Sequence, residues 1–398
     1  MWANDRQSPT ISAKATALVS PFARGNATPT LMIWTTDNVR RIVLDMAGRI
    51  LQKPHAGLPT TVPTELDLYL DLGLDSLQRM ELAAHLNEFF GILQTSAHNY
   101  LLADTTLAHW TNCILRARFE NDESLTFRTS GTSGGAKPIT HTMESLLSEG
   151  QFLARLLTQP SQVISSVPAC HIYGFLYTVL LPSLWKRPMR LLADVSAADI
   201  TADTLIVGTP FTWEFLHQSL FSRAPVPCRG VSSTAPMPSG LFSQLAEAGV
   251  SLTEVYGSSD TGGMAYRHQP DVPFMLFSYV VLLPGNPSSI TRIDINETYT
   301  VPDRLEQLSA REIRVLGRLD NAVQIAGVNV YPAHVQQVIE SCPLVIECDV
   351  YAKADAGTTQ LYGAVRLRTH NDSTRDACLR WIRERLSAPE TPKHLYLY

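Results

Sequence analysis

Three short stretches of this 398-residue chain hold side chains whose types and spacing suit phosphate chemistry. In Thr129-Ser130-Gly131-Thr132-Ser133-Gly134-Gly135-Ala136-Lys137, the glycines permit tight turns and close backbone approach to an anion. The hydroxyls of Thr129, Ser130, Thr132 and Ser133 can donate, and Lys137 adds positive charge. Pro138 follows the lysine where a Walker loop needs Ser or Thr for magnesium, and the glycine spacing differs, which argues against a kinase or motor ATPase. The competing reading is a flexible Gly/Ser loop. In Gly73-Leu74-Asp75-Ser76-Leu77, Ser76 stands at a helix start, where free backbone N–H groups and the positive end of the dipole favour a phosphate diester. Asp75 and Ser76 also make an ordinary helix cap. In Val255-Tyr256-Gly257-Ser258-Ser259-Asp260-Thr261-Gly262-Gly263, Tyr256 can pack on a purine and Asp260 can hold magnesium against phosphate oxygens. On its own this string is equally consistent with a plain glycine-rich turn.

The elements that must position these groups follow from periodicity. Residues 1–33 are rich in Ser, Thr, Ala and Pro without period and read as a flexible leader. Val39, Ile42, Val43, Met46 and Ile50 recur at helical spacing, with Asp37 at the positive end of that helix. A Pro-containing connection over residues 53–70 leads to Asp75 and Gln78, a capping pattern ahead of Leu77, Leu82, Leu86, Phe89, Phe90 and Leu93. Shorter helical pieces over 100–102 and 106–116 would close an all-α four-helix unit. Leu125-Thr126-Phe127 alternates like a strand and runs straight into the glycine-rich loop. A net charge of −5, with no basic stripe, gives no reason to expect nucleic acid. Six cysteines lack metal-ligand spacing, and no apolar run suits a signal peptide or a membrane span; a soluble cytoplasmic protein is the expectation.

The Gly-Leu-Asp-Ser-Leu string, the long first loop and the flanking helices resemble the acyl or peptidyl carrier family over about residues 35–116. That resemblance implies 4′-phosphopantetheine attached to Ser76 by a phosphopantetheinyl transferase. The 129–137 loop, the 255–263 string and Gly317-Arg318-Leu319-Asp320-Asn321-Ala322-Val323-Gln324-Ile325-Ala326-Gly327, in that order, resemble the adenylate-forming superfamily of acyl-CoA and aryl-CoA ligases, luciferases and peptide-synthetase adenylation domains. The resemblance spans about residues 124–398. It implies that Thr129, Ser130, Gly131, Thr132, Ser133, Gly134 and Lys137 cradle the ATP phosphates. Tyr256, Gly257 and Ser259 would then contact adenine with Ala235 in its backbone wall, Asp303 would bind the ribose hydroxyls, and Arg318 would make a second nucleotide contact. Asp260 falls where the family usually has Glu, on the magnesium side, and Asp320 would be the hinge of a small C-terminal domain. Val167-Pro168-Ala169-Cys170-His171-Ile172-Tyr173-Gly174-Phe175 resembles the segment lining the acid pocket. It offers no carboxylate for a substrate ammonium, so His171 and its neighbours suit an aryl or acyl acid; a core histidine is the competing reading.

The expected architecture is therefore multi-domain. A leader (1–33) precedes an all-α carrier domain (34–116), an α/β adenylate-forming core (120–316) and a truncated C-terminal subdomain (317–398). The implied reaction couples Mg·ATP and a carboxylic acid to acyl-AMP and then to a phosphopantetheine thiol, catalysed chiefly by Lys137, Thr132, His171 and Asp260. It would serve polyketide, fatty-acid or nonribosomal secondary metabolism, with other carrier proteins or synthase modules as further partners. Three departures from the family pattern stand against it: the short stretch before the phosphate loop, an end at Tyr398 ahead of the usual lysine segment, and Gln324 where many relatives have lysine. The alternative is an adenylation-deficient carrier and docking module loaded in trans by a separate ligase.

Overall fold

The computed structural model describes residues 33–51, 66–97, 100–129, 137–223, 225–283, 286–319, 322–326, 328–355, 358–369 and 371–398. The leader, most of the 53–70 connection, the loop residues Ser130, Gly131, Thr132, Ser133 and Gly134, and the hinge residue Asp320 lie outside them.

Helix α1 (Thr36–Ile50) starts on Thr35, whose hydroxyl accepts the Asn38 N–H. It is buried on every side from Arg41 through Gly48, because Ile42, Val43, Leu44, Met46 and Ala47 wrap the whole helix circumference. Helix α2 (Ser76–Phe90) opens with the reciprocal capping box spelled by Asp75 and Gln78 and ends on Gly91 in the left-handed conformation (φ 64°). Its buried face is Leu82, Ala83, Leu86, Phe89 and Phe90. Leu77 and Leu93, expected in that stripe, are instead 72% and 64% exposed; each lies at or beyond a helix end, past the last turn that meets a neighbour. Helix α3 (Leu107–Glu120) completes the group. Among the described residues it has three long helices, joined by the 3₁₀ turns Ile92–Gln94 and Leu101–Ala103, in place of the four helices expected.

Strands β1 (Ser124–Arg128) and β2 (Pro138–Thr142) form an antiparallel hairpin. Its open end is closed by Thr129 N–H to the Lys137 carbonyl and Lys137 N–H to the Thr129 hydroxyl; residues 130–136 between them lie outside the described residues. Helix α4 (Met143–Leu156) follows. The main sheet contains β3 (Gln162–Ser165), β4 (Met189–Leu191), β5 (Thr204–Gly208), β6 (Cys228–Ser232), β7 (Val250–Ser258), β8 (Gly262–Arg267) and β9 (Phe274–Leu276). A side sheet of β10 (Val280–Leu283), β11 (Asn286–Arg292) and β12 (Glu297–Thr300) leads into β13 (Asp303–Gln307) and β14 (Glu312–Arg318), which rejoin the main sheet. The nine strands run in the order β13-β14-β9-β8-β7-β6-β5-β3-β4. The block β7-β6-β5-β3-β4 is parallel and the remainder antiparallel.

Between β3 and β4 the chain makes a short helix α5 (Ile172–Phe175), one π turn (Leu176–Leu180) and α6 (Leu181–Trp185). Helices α7 (Pro210–Leu216) and α8 (Ser239–Glu247) pack Trp213, Leu216, Phe242 and Leu245 against Ile164, Ile206 and Leu252 of the sheet. The C-terminal part begins with the hairpin β15 (Val323–Ile325) and β16 (Val328–Val330). A three-stranded sheet follows, β17 (Val345–Asp355), β18 (Thr358–Leu367) and β19 (His394–Leu397), covered by α9 (Pro332–Glu340) and α10 (Asp372–Arg385) through Val335, Ile339, Cys378 and Ile382. The fold class is thus α-helices followed by a mixed α/β body, and Ile33–Tyr398 forms one compact unit. No helix among the described residues is long and apolar enough to cross a membrane.

The tightest backbone packing is at Gly174, where an added Cβ would stand 1.9 Å from the Pro168 carbonyl oxygen. A backbone oxygen cannot rotate away as a side chain can. Gly174→Ala is therefore expected to lower stability by about 1–3 kcal/mol, read as a shift of the urea unfolding midpoint at unchanged slope.

Candidate active site

Several of the segments singled out above leave the carboxyl ends of parallel strands. The 166–175 stretch follows β3, Gly208 ends β5, the Ser233–Pro236 stretch follows β6, and Tyr256 to Asp260 lie at the end of β7 and just beyond. In open α/β sheets that edge is where ligands bind, because the strand ends and the following turns leave a crevice.

Tyr173 ties the first segment to this edge. Its hydroxyl lies 2.9 Å from the Gly208 carbonyl and 3.2 Å from that of Val231. His171 caps α5 in extended geometry; burial, reinforced by the positive charge of Arg49, pushes its pKa down to about 3. The ring is neutral at physiological pH, so it suits a pocket wall or hydrogen-bonding group rather than a proton shuttle.

Lys137, at the base of the phosphate-loop hairpin, reaches the Asp260 carboxylate at 3.3 Å; both side chains are well exposed. Ser259 is held by His141, whose Nε2–H donates to its carbonyl at 2.7 Å. The structure thus joins Thr129, Lys137, Ser259 and Asp260 across 123 residues of sequence. A second group lies on the other side of the same turn. The Tyr256 hydroxyl donates to Asp303 at 2.7 Å, and Asp303 stands opposite Arg318 in the β13–β14 ladder. Burial first, then the Asp303 carboxylate, raises the Tyr256 pKa and keeps the phenol protonated as a donor. Gln324 pairs with Asn329 within the β15–β16 hairpin.

Several supporting residues carry no motif. Glu149 on α4 is fully buried, accepts the Gly263 N–H at 2.7 Å, and lies 3.6 Å from Arg292. Arg292 in turn holds Asp294 and the carbonyl of Ser145. Glu254 receives the Met237 N–H and the Arg267 guanidinium, bracing the wall that contains Ala235. In that wall Thr234 has φ 78°, a conformation costly for a β-branched residue, and its buried hydroxyl has no hydrogen-bond partner. Only pairing of charges along α4 and β11 could have hinted at Glu149 and Arg292, and their separation hides it.

At the helical end, Ser76 is exposed at the first position of α2. Exposed Leu77 and Met80 flank it, and the Arg79 guanidinium lies over the Tyr69 ring. A cavity of about 200 Å³ separates α1 and α2 from β1, with Arg49, His85, Glu88, Phe89, Arg128 and Cys170 among its walls. A larger one, of about 530 Å³, lies in the C-terminal part between Ile325 and Lys393, away from the grouped residues.

Residues 41–114 match the family described as phosphopantetheine attachment site. A 4-coumarate–CoA ligase from Rhodobacter capsulatus is 37% identical over 287 residues, which make up 68% of this chain and 73% of the relative. The chain belongs to the AMP-forming acyl- and aryl-CoA ligase family. A second member, a 4-coumarate–CoA ligase from Halorhodospira halophila, is 33% identical over 81% of this chain and 83% of its own. Among solved structures, o-succinylbenzoate CoA synthetase from Bacillus subtilis superposes with a TM-score of 0.57 at 17% identity, covering 70% of this chain and 66% of that one. That likeness extends the ligase fold to the mixed sheet described here.

Two outcomes follow from the supporting residues. Burial raises the Glu149 pKa from its ordinary 4.5 to about 7 against the pull of Arg292 and the Gly263 N–H. The folded state therefore keeps a proton that the unfolded chain releases above 4.5. Its contribution is complete below pH 4.5 and fades as pH rises to about 7. Glu149→Gln should flatten the stability profile across that window in urea titrations at several pH values. Thr234→Gly should relieve backbone strain and stabilise the fold by up to about 1–3 kcal/mol, read by calorimetry.

Proposed function

We propose that this protein is an ATP-dependent ligase for a carboxylic acid lacking an α-amino group, aryl or acyl, and that it passes the acyl group to a phosphopantetheine thiol on a carrier. The observation that carries the reading is the meeting of Lys137 and Asp260 with Tyr256, Asp303 and Arg318 around one strand-end turn, within reach of the edge where Tyr173 anchors the acid segment.

In the first step a carboxylate oxygen attacks the α-phosphorus of ATP, and the bond to pyrophosphate breaks. Lys137 and the hydroxyls of the 129–134 loop hold the phosphates and oppose their charge, Tyr256 and the Ala235 wall take the adenine, and Asp303 with Arg318 takes the ribose side. Asp260 is a single, half-exposed carboxylate, and among the described residues no cluster of three or more acids, His or Cys surrounds it. That fits magnesium, which keeps several waters and arrives on nucleotide phosphates; when bound it neutralises phosphate charge beside Asp260. In the second step a thiol sulfur attacks the acyl carbon, AMP leaves with the electrons of the broken C–O bond, and the thiol proton passes to solvent. Phosphopantetheine supplies that thiol, and exposed Ser76 at a helix N-terminus suits its attachment by a transferase. Most of the catalysis is positioning and charge opposition. The neutral, enclosed His171 supports an acid without an ammonium group, and secondary metabolism at a cytoplasmic location is the setting this chemistry suits.

The test is acid-dependent exchange of labelled pyrophosphate into ATP, with 4-coumarate, 3,4-dihydroxybenzoate and medium-chain fatty acids as probes, followed by intact mass after treatment with a phosphopantetheinyl transferase and CoA. Exchange with at least one probe, reduced about 100-fold or more by Lys137→Ala, and an acyl adduct absent in Ser76→Ala are the expected results. Pantetheine attachment without exchange by any probe would replace this reading with a carrier module loaded in trans.

A further inference from the structure

A carrier that shuttles its cargo between sites needs a linker long enough to let it leave. Here the helical unit and the ligase body are joined by residues 121–123, between α3 and β1, which span about 10 Å even when fully extended. Those three residues are also clamped. Asn121 Nδ2 donates to Gln94, and Asp122 accepts the Trp34 indole N–H and the Arg118 guanidinium. The Glu123 carbonyl accepts the Met143 N–H. Arg118 extends the clamp to the carbonyls of Phe90 and Ser124.

The seam itself is built like an interior. Along one stripe of α1, Arg41 donates to the carbonyl and hydroxyl of Thr178, Asp45 accepts the Ala169 N–H, and Arg49 approaches the Cys170 sulfur at 3.9 Å. Asn38 adds a contact to the Ser183 hydroxyl at 3.4 Å. Trp34 packs between Phe90 and Phe175, and Phe127 packs on both Phe89 and Phe175. Arg128, one residue before the phosphate loop begins, is paired with Glu88 on α2.

We infer that the phosphopantetheine-attachment unit is a fixed wall of the ligase: it does not undock during turnover, and only the arm on Ser76 travels. Ser76 lies twelve positions from Glu88 on α2, about 18 Å along the helix axis, which is comparable to the length of a phosphopantetheine arm. The wall also braces the segment proposed to line the acid pocket, because Ala169 and Thr178 are held by α1 rather than by the sheet.

The experiment joins wall to body. An Asn38→Cys/Ser183→Cys variant, bridged with dibromobimane and only then phosphopantetheinylated so that the arm's thiol stays free, is compared with its unbridged form for ATP-dependent acyl loading by intact mass, using the acid that supports exchange. Loading rates within about twofold of each other are expected. Loss of loading on bridging, with the unbridged variant still competent, would overturn the inference. This arm rests on the self-loading reading above, so a second measurement stands apart from it. Hydrogen exchange of the Ala169 amide, whose acceptor lies across the seam, is compared with that of Leu205, Ile206 and Val207 in the central strand β5 of the unloaded full chain. If the wall is fixed, Ala169 exchanges within about tenfold of those strand amides, through global unfolding alone. Exchange about a hundredfold or more faster, with β5 unchanged, would mean that the unit opens and would overturn the inference whatever the loading assay gives.

Discussion

The buried Arg41 guanidinium is the contact on which the arrangement of this protein turns. It sits in α1 with little access to water and donates to both the carbonyl and the hydroxyl of Thr178, inside the π turn that follows α5. Burial lowers its pKa to about 10, opposed by the Asp45 and Cys170 groups, so it keeps its charge at neutral pH. A buried charge of this kind is costly to desolvate and adds little net stability against an apolar pair, but removing one partner strands the other, typically at about 3–5 kcal/mol. Its value is therefore register. Pro182, four residues after Thr178, has no N–H to offer the Thr178 carbonyl, and Arg41 donates to that carbonyl from a different part of the chain. Asp45 one turn later does the same for the Ala169 N–H, so one helix fixes both ends of the 169–178 stretch.

That constraint bears on how the strand ends are arranged. The parallel strands β3, β5, β6 and β7 are followed by the 166–175 stretch, the 209 and 233–236 turns and the Tyr256–Asp260 turn. Two of these turns are braced from the body itself, the one after β6 by Glu254 under Met237 and the one after β7 by Glu149 and Arg292 under Gly263 and by His141 under Ser259. The turn after β3 draws its bracing from α1 and from Tyr173. The helical unit thus braces the stretch after β3 and also presents Ser76, the residue proposed for phosphopantetheine attachment, at its surface.

Part of the fold was legible because local chemistry dictates it. The Leu125-Thr126-Phe127 alternation read as a strand, and β1 forms there; Asp75 and Gln78 spelled a capping box, and the box is made. Family strings located Tyr256, Asp303 and Arg318, which the fold brings side by side. The supporting charges were not legible. Arg41 and Asp45 look like the solvated face of an amphipathic helix, and their partners stand 137 and 124 positions away. A clue existed in Ile42, Val43, Leu44, Met46 and Ala47, which cover the full circumference of α1 and leave no face for water. Leu77 misled in the opposite sense: a leucine at helical spacing counts as core only if something packs on that turn, and Leu77, in the first turn of α2, stays 72% exposed while the buried face begins at Leu82.

The same distinction bears on how attachment unit and ligase came to share one interior. In a free-standing carrier, a charged pair at positions 41 and 45 would face solvent and be worth a few tenths of a kcal/mol as an exposed i,i+4 pair. Here the pair is enclosed, so each charge needs backbone partners, and only the ligase body offers them at Thr178 and Ala169. Separating the two parts would expose Phe127, Phe175 and Trp34 together while leaving those backbone groups to water. Aromatic burial and charge satisfaction thus point the same way: the helices complete the ligase interior, and Ser76 is left at the surface on the one end of α2 that the interior does not use.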